Sequence, residues 1–155
     1  MTTKILTRKT NFKRMKLKSF AIFILSLLML GACTSDLDEV VDSTYPDDSK
    51  KVIKFYKNEA DKQVLVKEVG YYPDGKKQFE GSIDNDKRHG KWTYWYKNGN
   101  LWSEGSFNHG LNDGLRTTYH ENGKIYYQGK YDDGKRVGKW KFYDEEGKFV
   151  KEIEY

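Results

Sequence analysis

The chain has 155 residues, enough for one domain, with 28 basic and 23 acidic side chains and a net charge of +5. Seven of the basic residues and none of the acidic ones fall in the first 32 positions, which leaves 21 basic against 23 acidic from Cys33 onward. That remainder is close to neutral and has no clustered basic stretch, so electrostatic grip on phosphates is excluded as a basis for function and no nucleic-acid partner is expected.

Residues 1–32 read as a targeting segment. Basic residues run to Lys18, and an apolar run from Phe20 to Leu30 follows, broken only by Ser26. At about 1.5 Å rise per residue this run is too short to span a bilayer. Met15 opens a compact version of the same leader, so starts at Met1 and at Met15 both fit. The run ends in Leu30-Gly31-Ala32-Cys33, which resembles the lipobox of bacterial lipoproteins. The resemblance implies removal of residues 1–32, thioether attachment of diacylglycerol to Cys33, and fatty acylation (palmitate or a similar chain) of the new amino group. The other reading of Cys33 is a buried free thiol behind an ordinary signal peptide. As the only cysteine, it has no intramolecular disulfide partner.

Residues 33–51 carry six acids and few bulky apolar side chains, so after the lipidated cysteine they are expected to form a flexible acidic tether. Ser35-Asp36-Leu37-Asp38-Glu39 also resembles the acidic export signals of Bacteroidetes surface lipoproteins; a solvated spacer is the plainer reading. Residues 52–71 hold two strand-like runs, Val52 to Tyr56 and Gln63 to Val69, and are expected to form a degenerate N-terminal capping hairpin.

From Tyr72 the chain repeats. Gly75, Gly99, Gly123 and Gly147 form one series, Gly81, Gly105 and Gly129 a second, Gly90, Gly114 and Gly138 a third, each stepping by 24 residues. Trp92 and Trp140 follow the third series by two positions, with Arg116 in their place in the middle repeat. Asp74-Gly75, Asn98-Gly99 and Asn122-Gly123 read as primed hairpin turns. Between turns the side chains alternate: Leu101, Ser103, Gly105 and Phe107 on one face, Trp102, Glu104 and Ser106 on the other. Residues 72–155 are therefore expected to be all-β, an antiparallel meander of 24-residue hairpins, with a ring or backbone lying close on the second glycine series. The run from Trp92 to Tyr96 has one residue more than Trp140 to Tyr143, for which a bulge would compensate.

Gly90-Lys91-Trp92, Tyr96-Lys97-Asn98-Gly99 and Glu104-Gly105-Ser106-Phe107 resemble the bacterial variant of the MORN repeat, as found in the YwqK-type antitoxin family. The resemblance covers about residues 70–150. It implies a repeat architecture and protein–protein or membrane contact. A cytoplasmic toxin would lie on the wrong side of the membrane from a lipoprotein, so the antitoxin role is set aside except as an envelope-side immunity function.

No catalytic constellation is found, and the chain is not expected to be an enzyme. His89, His109 and His120 read as turn and surface residues; they do not recur at 24, so no metal and no cofactor is expected. Glu80, Glu104 and Glu152, with Gln128 between, form a column expected to be solvated and countered by lysines such as Lys130 or Lys151. The column Gln78, Trp102, Tyr126, Val150 is placed on the face opposite the core. There Trp102 and Tyr126, with Trp95, form a candidate aromatic binding face, or else cross-strand packing. The expected function is a lipid-anchored envelope lipoprotein of the outer membrane, surface-exposed or not, that binds an envelope protein without catalysis. The alternatives are glycan or peptidoglycan binding and an antitoxin or immunity role.

Overall fold

The computed structural model describes residues 37–155, which hold ten strands and no helix. They are β1 (Leu37–Thr44), β2 (Lys50–Glu59), β3 (Lys62–Tyr71), β4 (Lys77–Asp84), β5 (Lys87–Trp95), β6 (Leu101–Asn108), β7 (Leu111–Tyr119), β8 (Ile125–Asp132), β9 (Lys135–Tyr143) and β10 (Phe149–Glu154). All pair antiparallel in chain order in one sheet. The fold is the expected all-β meander. Its connections alternate strictly between five-residue loops (45–49, 72–76, 96–100, 120–124, 144–148) and two-residue turns (60–61, 85–86, 109–110, 133–134).

The turn chemistry is distributed differently from the sequence reading. Asp74-Gly75 and its equivalents lie in the five-residue loops, where Tyr72 N–H donates to Lys76 O (2.8 Å) and Gly75 N–H to Tyr72 O (2.9 Å). Only the glycine there has positive φ, 79° at Gly75. Of the two-residue turns, Asn85-Asp86, His109-Gly110 and Asp133-Gly134 each have two positive φ values, as a primed turn requires, whereas in Ala60-Asp61 only Ala60 does.

The tether expected over 33–51 is corrected for the described part. Residues 37–44 are strand β1, paired with β2 from Leu37–Lys57 to Thr44–Lys50. The acidic sequence has only Leu37, Val40 and Val41 as apolar side chains, and both valines stay exposed. It orders because β2 offers an edge for its backbone and cations for its carboxylates: Glu39 meets Lys50 and Asp42 meets Lys54, both at 2.8 Å. Asp38 also accepts from Asn58 and Gln63. The loop that follows, Tyr45-Pro46-Asp47-Asp48-Ser49, repeats the geometry of Tyr72-Pro73-Asp74-Gly75-Lys76, with Asp48 at φ 63° in the glycine position. The expected capping hairpin 52–71 corresponds to β2 and β3, but β1 lies outside it at the sheet edge. Cys33 and the leader lie outside the described residues.

The extra residue postulated between Trp92 and Tyr96 is also corrected. β5 and β9 have nine residues each, and Trp95 aligns with Tyr143 while Tyr96 aligns with Asp144, so the 24-residue period holds with no extra residue between Trp92 and Tyr96; the register shift in each strand falls before the tryptophan, after His89 in β5 and after Val137 in β9.

Trp92 and Trp140 are completely buried and anchor two aromatic clusters. Trp92 packs with Ile83, Phe107, Phe79 and Tyr94; Trp140 packs with Tyr127, Tyr131 and Tyr155. Each indole lies flat on a glycine of the neighbouring strand, Gly81 or Gly129, so close that a Cβ there would overlap the ring. Each donates its N–H to a backbone carbonyl, Ser82 O at 2.9 Å and Lys130 O at 3.2 Å. Arg88 and Arg136 cover the two indoles at 4.5 Å from the ring centroids. The close approach expected at this glycine series is what the packing uses.

Candidate functional site

The middle repeat interrupts this pattern. The Arg–Trp pairs 88/92 and 136/140 become Asn112 and Arg116, and the aromatics Tyr94 and Phe142 become Thr118. Arg116 takes the indole's seat beside Gly105, and its guanidinium donates to Asn112 Oδ1 (2.6 Å) and Ser103 Oγ (3.4 Å). It also lies over the rings of Phe107 and Tyr131, at 5.3 and 5.9 Å. Ser103 Oγ lies 3.2 Å from Thr118 Oγ1, and both residues are buried. Replacing two rings with an arginine and a threonine leaves a recess of about 330 Å³ between the clusters, lined by Tyr94, Tyr96 and Trp102 on one side and Tyr126 and Tyr127 on the other. Arg116, Ser103 and Thr118 are its polar lining. Among the described residues Arg116 meets no carboxylate, so its charge is balanced by neutral oxygens and ring faces alone.

The structure brings Trp102 and Tyr126 together, but not where the alternation placed them. Tyr94 pairs with Ser103 while Trp95 pairs with Leu101, so Trp102 is an extra residue in β6. Tyr126 is the extra residue in β8, between the pairs Thr118–Tyr127 and Tyr119–Ile125. A bulge breaks the two-residue alternation and re-aims its side chain. Trp102 therefore reaches Tyr94 (5.8 Å) and Tyr96 (6.1 Å), and Tyr126 reaches Tyr127 (5.3 Å) and His120 (4.7 Å). They line the recess on the core side rather than the opposite face, and each keeps 45% of its surface exposed. Gln78 and Val150 occupy the same bulge position. Trp95 stays apart: Lys77 Nζ lies 5.7 Å from its ring, and it does not line the recess.

Arg116 and Thr118 were the members of the site that residue type alone did not single out. The signal for them was their departure from the Trp and aromatic positions of the flanking repeats. Burial raises the pKa of Tyr94, although Arg88 and Arg116 oppose it, and its hydroxyl accepts a hydrogen bond from Arg88 at 3.1 Å.

The glutamate column is surface electrostatics, with partners other than Lys130 and Lys151. Glu80 meets Lys67 and Lys77, Glu104 meets Lys91, and Glu152 meets Lys139. Gln128 donates to Thr117 Oγ1, and Lys151 lies over Phe142.

The loops are clipped to one another by their first residues. Tyr45 hydroxyl donates to Tyr71 O, Tyr72 hydroxyl to Trp95 O and Tyr96 hydroxyl to Tyr119 O, at 2.8–2.9 Å. His120 Nε2 continues the series to Tyr143 O at 3.1 Å. This ladder holds the recess walls in register from repeat to repeat.

No curated protein matches the chain. The family model for the MORN repeat variant matches residues 88–109, 112–133 and 136–155, one match over each of the hairpins β5–β6, β7–β8 and β9–β10, which are similar to that repeat.

Proposed function

We propose that this chain is a non-catalytic protein-interaction module, held on the cell envelope by lipidated Cys33, and that the recess around Arg116 is its contact surface. The observation that carries the reading is the pairing of exposed Trp102 and Tyr126 with an arginine that has no carboxylate partner among the described residues. Aromatic and arginine side chains dominate the energetic centres of protein interfaces, and 330 Å³ is enough to seat one or two partner side chains. The complementary group is a carboxylate next to a flat apolar surface. The lipobox residues Leu30 to Cys33 support the anchor, in the outer membrane by preference. An immunity role against an envelope-acting toxin is one form this interaction could take.

A second reading, acidic glycan binding, is favoured by the hydroxyls of Ser103 and Thr118 in the polar lining between ring faces. The test uses the full-length protein in mild detergent as bait against an envelope extract, with Trp102→Ala, Tyr126→Ala and the exposed Leu115→Ala as variants. A protein held by wild type and Leu115→Ala but lost from the two recess variants supports the first reading. Equal capture by all removes the recess from the interface. Capture of envelope polysaccharide with no protein, and its release by acidic oligosaccharides, favours the second. Separately, Cys33→Ser should abolish incorporation of a labelled fatty acid and release the protein from the membrane fraction.

A further inference from the structure

Asp84, His89 and His109 meet at the edge of the sheet that carries the two-residue turns. Asp84 ends β4, His89 is the third residue of β5, and His109 opens the turn between β6 and β7. The histidines are 20 residues apart, which is why a search for columns at 24 separates them. The meander brings them together because Gly110 N–H donates to Arg88 O at 2.8 Å, fixing the second turn beside the residue before His89. The two imidazoles stand 4.9 Å apart, and one ligand atom from each of the three side chains lies within 4.8 Å of the others.

Three details of this cluster point to a cation. First, His109 Nε2 lies 3.3 Å from Asp84 Oδ2, and two donors on a tetrahedral zinc with bonds of about 2.0–2.1 Å are separated by about 3.3 Å. Second, His109 Nδ1 lies 2.8 Å from Asn108 Oδ1. A carbonyl oxygen accepts, so Nδ1 carries a proton, and in the neutral ring the Nε2 lone pair then faces the cluster, the arrangement that orients metal-bound imidazoles. Third, His89 Nδ1 is buried and has no hydrogen-bond partner, the one such side-chain atom among the described residues.

We propose that Asp84, His89 and His109 bind a divalent transition cation, zinc foremost, with the fourth position left to water or to a partner's side chain. Two imidazoles and one carboxylate select a borderline cation over calcium or magnesium, which prefer all-oxygen sites. The equivalents of Asp84, His89 and His109 one repeat on are Asn108, Asp113 and Asp133, so this set of ligands occurs once, at the junction of the β4–β5 and β6–β7 hairpins. The ion would tie these two tips together and add a site independent of the recess at Arg116.

The test is titration of the full-length protein, without a polyhistidine tag, with zinc chloride by calorimetry and with cobalt(II) by absorption. One equivalent should bind, and cobalt should give the intense visible bands of a four-coordinate site. His109→Asn, which keeps a residue tolerant of φ 46° in the turn, and His89→Ala should each weaken binding at least tenfold. The double variant should abolish it, and His120→Ala should leave it unchanged. Circular dichroism of metal-free His109→Asn checks that the fold persists. Absence of one-equivalent zinc binding, or binding that survives in the double variant, overturns the proposal.

Discussion

The indole of Trp140 lies against Gly129 so closely that no side chain could replace the glycine hydrogen without moving the ring. Gly129→Ala should therefore displace a fully buried tryptophan and cost about 1–3 kcal/mol, the usual range for overpacking. Gly81→Ala should do the same through Trp92. Gly105→Ala meets only the guanidinium end of Arg116, at 3.1–3.2 Å, which can shift, so it should cost less than the other two. Urea denaturation of the three variants checks the order.

The ladder of loop hydroxyls makes a second prediction. Tyr96→Phe and Tyr72→Phe each leave a carbonyl of the next repeat without its side-chain donor and should lose about 0.5–1.5 kcal/mol. Tyr45→Phe should show a loss of the same kind, since Tyr45 bonds Tyr71 O across β2 and β3. Hydrogen exchange should show protected amides in β1 that weaken in Tyr45→Phe. Unprotected amides over 37–44 would return this segment to a tether.

Filling the recess tests its role without exposing core. Thr118→Phe restores the aromatic found at the equivalent positions 94 and 142 and should occupy the space between Tyr94 and Tyr127. The fold should be retained, by circular dichroism and thermal midpoint, while capture of the partner falls to background. Undiminished capture would move the interface elsewhere.

Acid should remove one contribution to stability in a defined direction. The hydrogen bond from Lys91, and then that from Tyr119, holds the Glu104 carboxyl below its usual range. A carboxylate with a lowered pKa in the folded state stabilises above its unfolded pKa, and that contribution disappears as pH falls through the folded value. Glu104→Gln keeps an acceptor for Tyr119 but loses the charge. It should cost about 1 kcal/mol or less at neutral pH, as for other partly exposed ion pairs. The difference from wild type should vanish below the folded pKa, in denaturation curves recorded from pH 7 down.

Much of this architecture was legible in the chain. The glycine series at 24, the alternation between turns and the Trp positions specify hairpins in sequence, because each records a local demand: a positive φ, a pleat, a ring against bare backbone. The departure at 116 was visible for the same reason, as a break in the pattern of its neighbours, while that at 118 became evident only once the recess was seen. Other features depend on partners distant in sequence. The acidic segment from Leu37 to Thr44 buries too little of its own surface to order alone and becomes a strand because β2 supplies an edge and lysines. Trp102 and Tyr126 turn to the core side because a bulge, set by pairing with the adjacent strand, breaks the alternation that was read along the chain. His89 and His109 meet because the stagger between neighbouring turns differs from the repeat length. The sequence by itself determined the repeating unit and its order; only the tertiary structure decided the side on which the exposed aromatics lie and which side chains meet at the turns. Register between strands is a relation between segments, and no single segment encodes it.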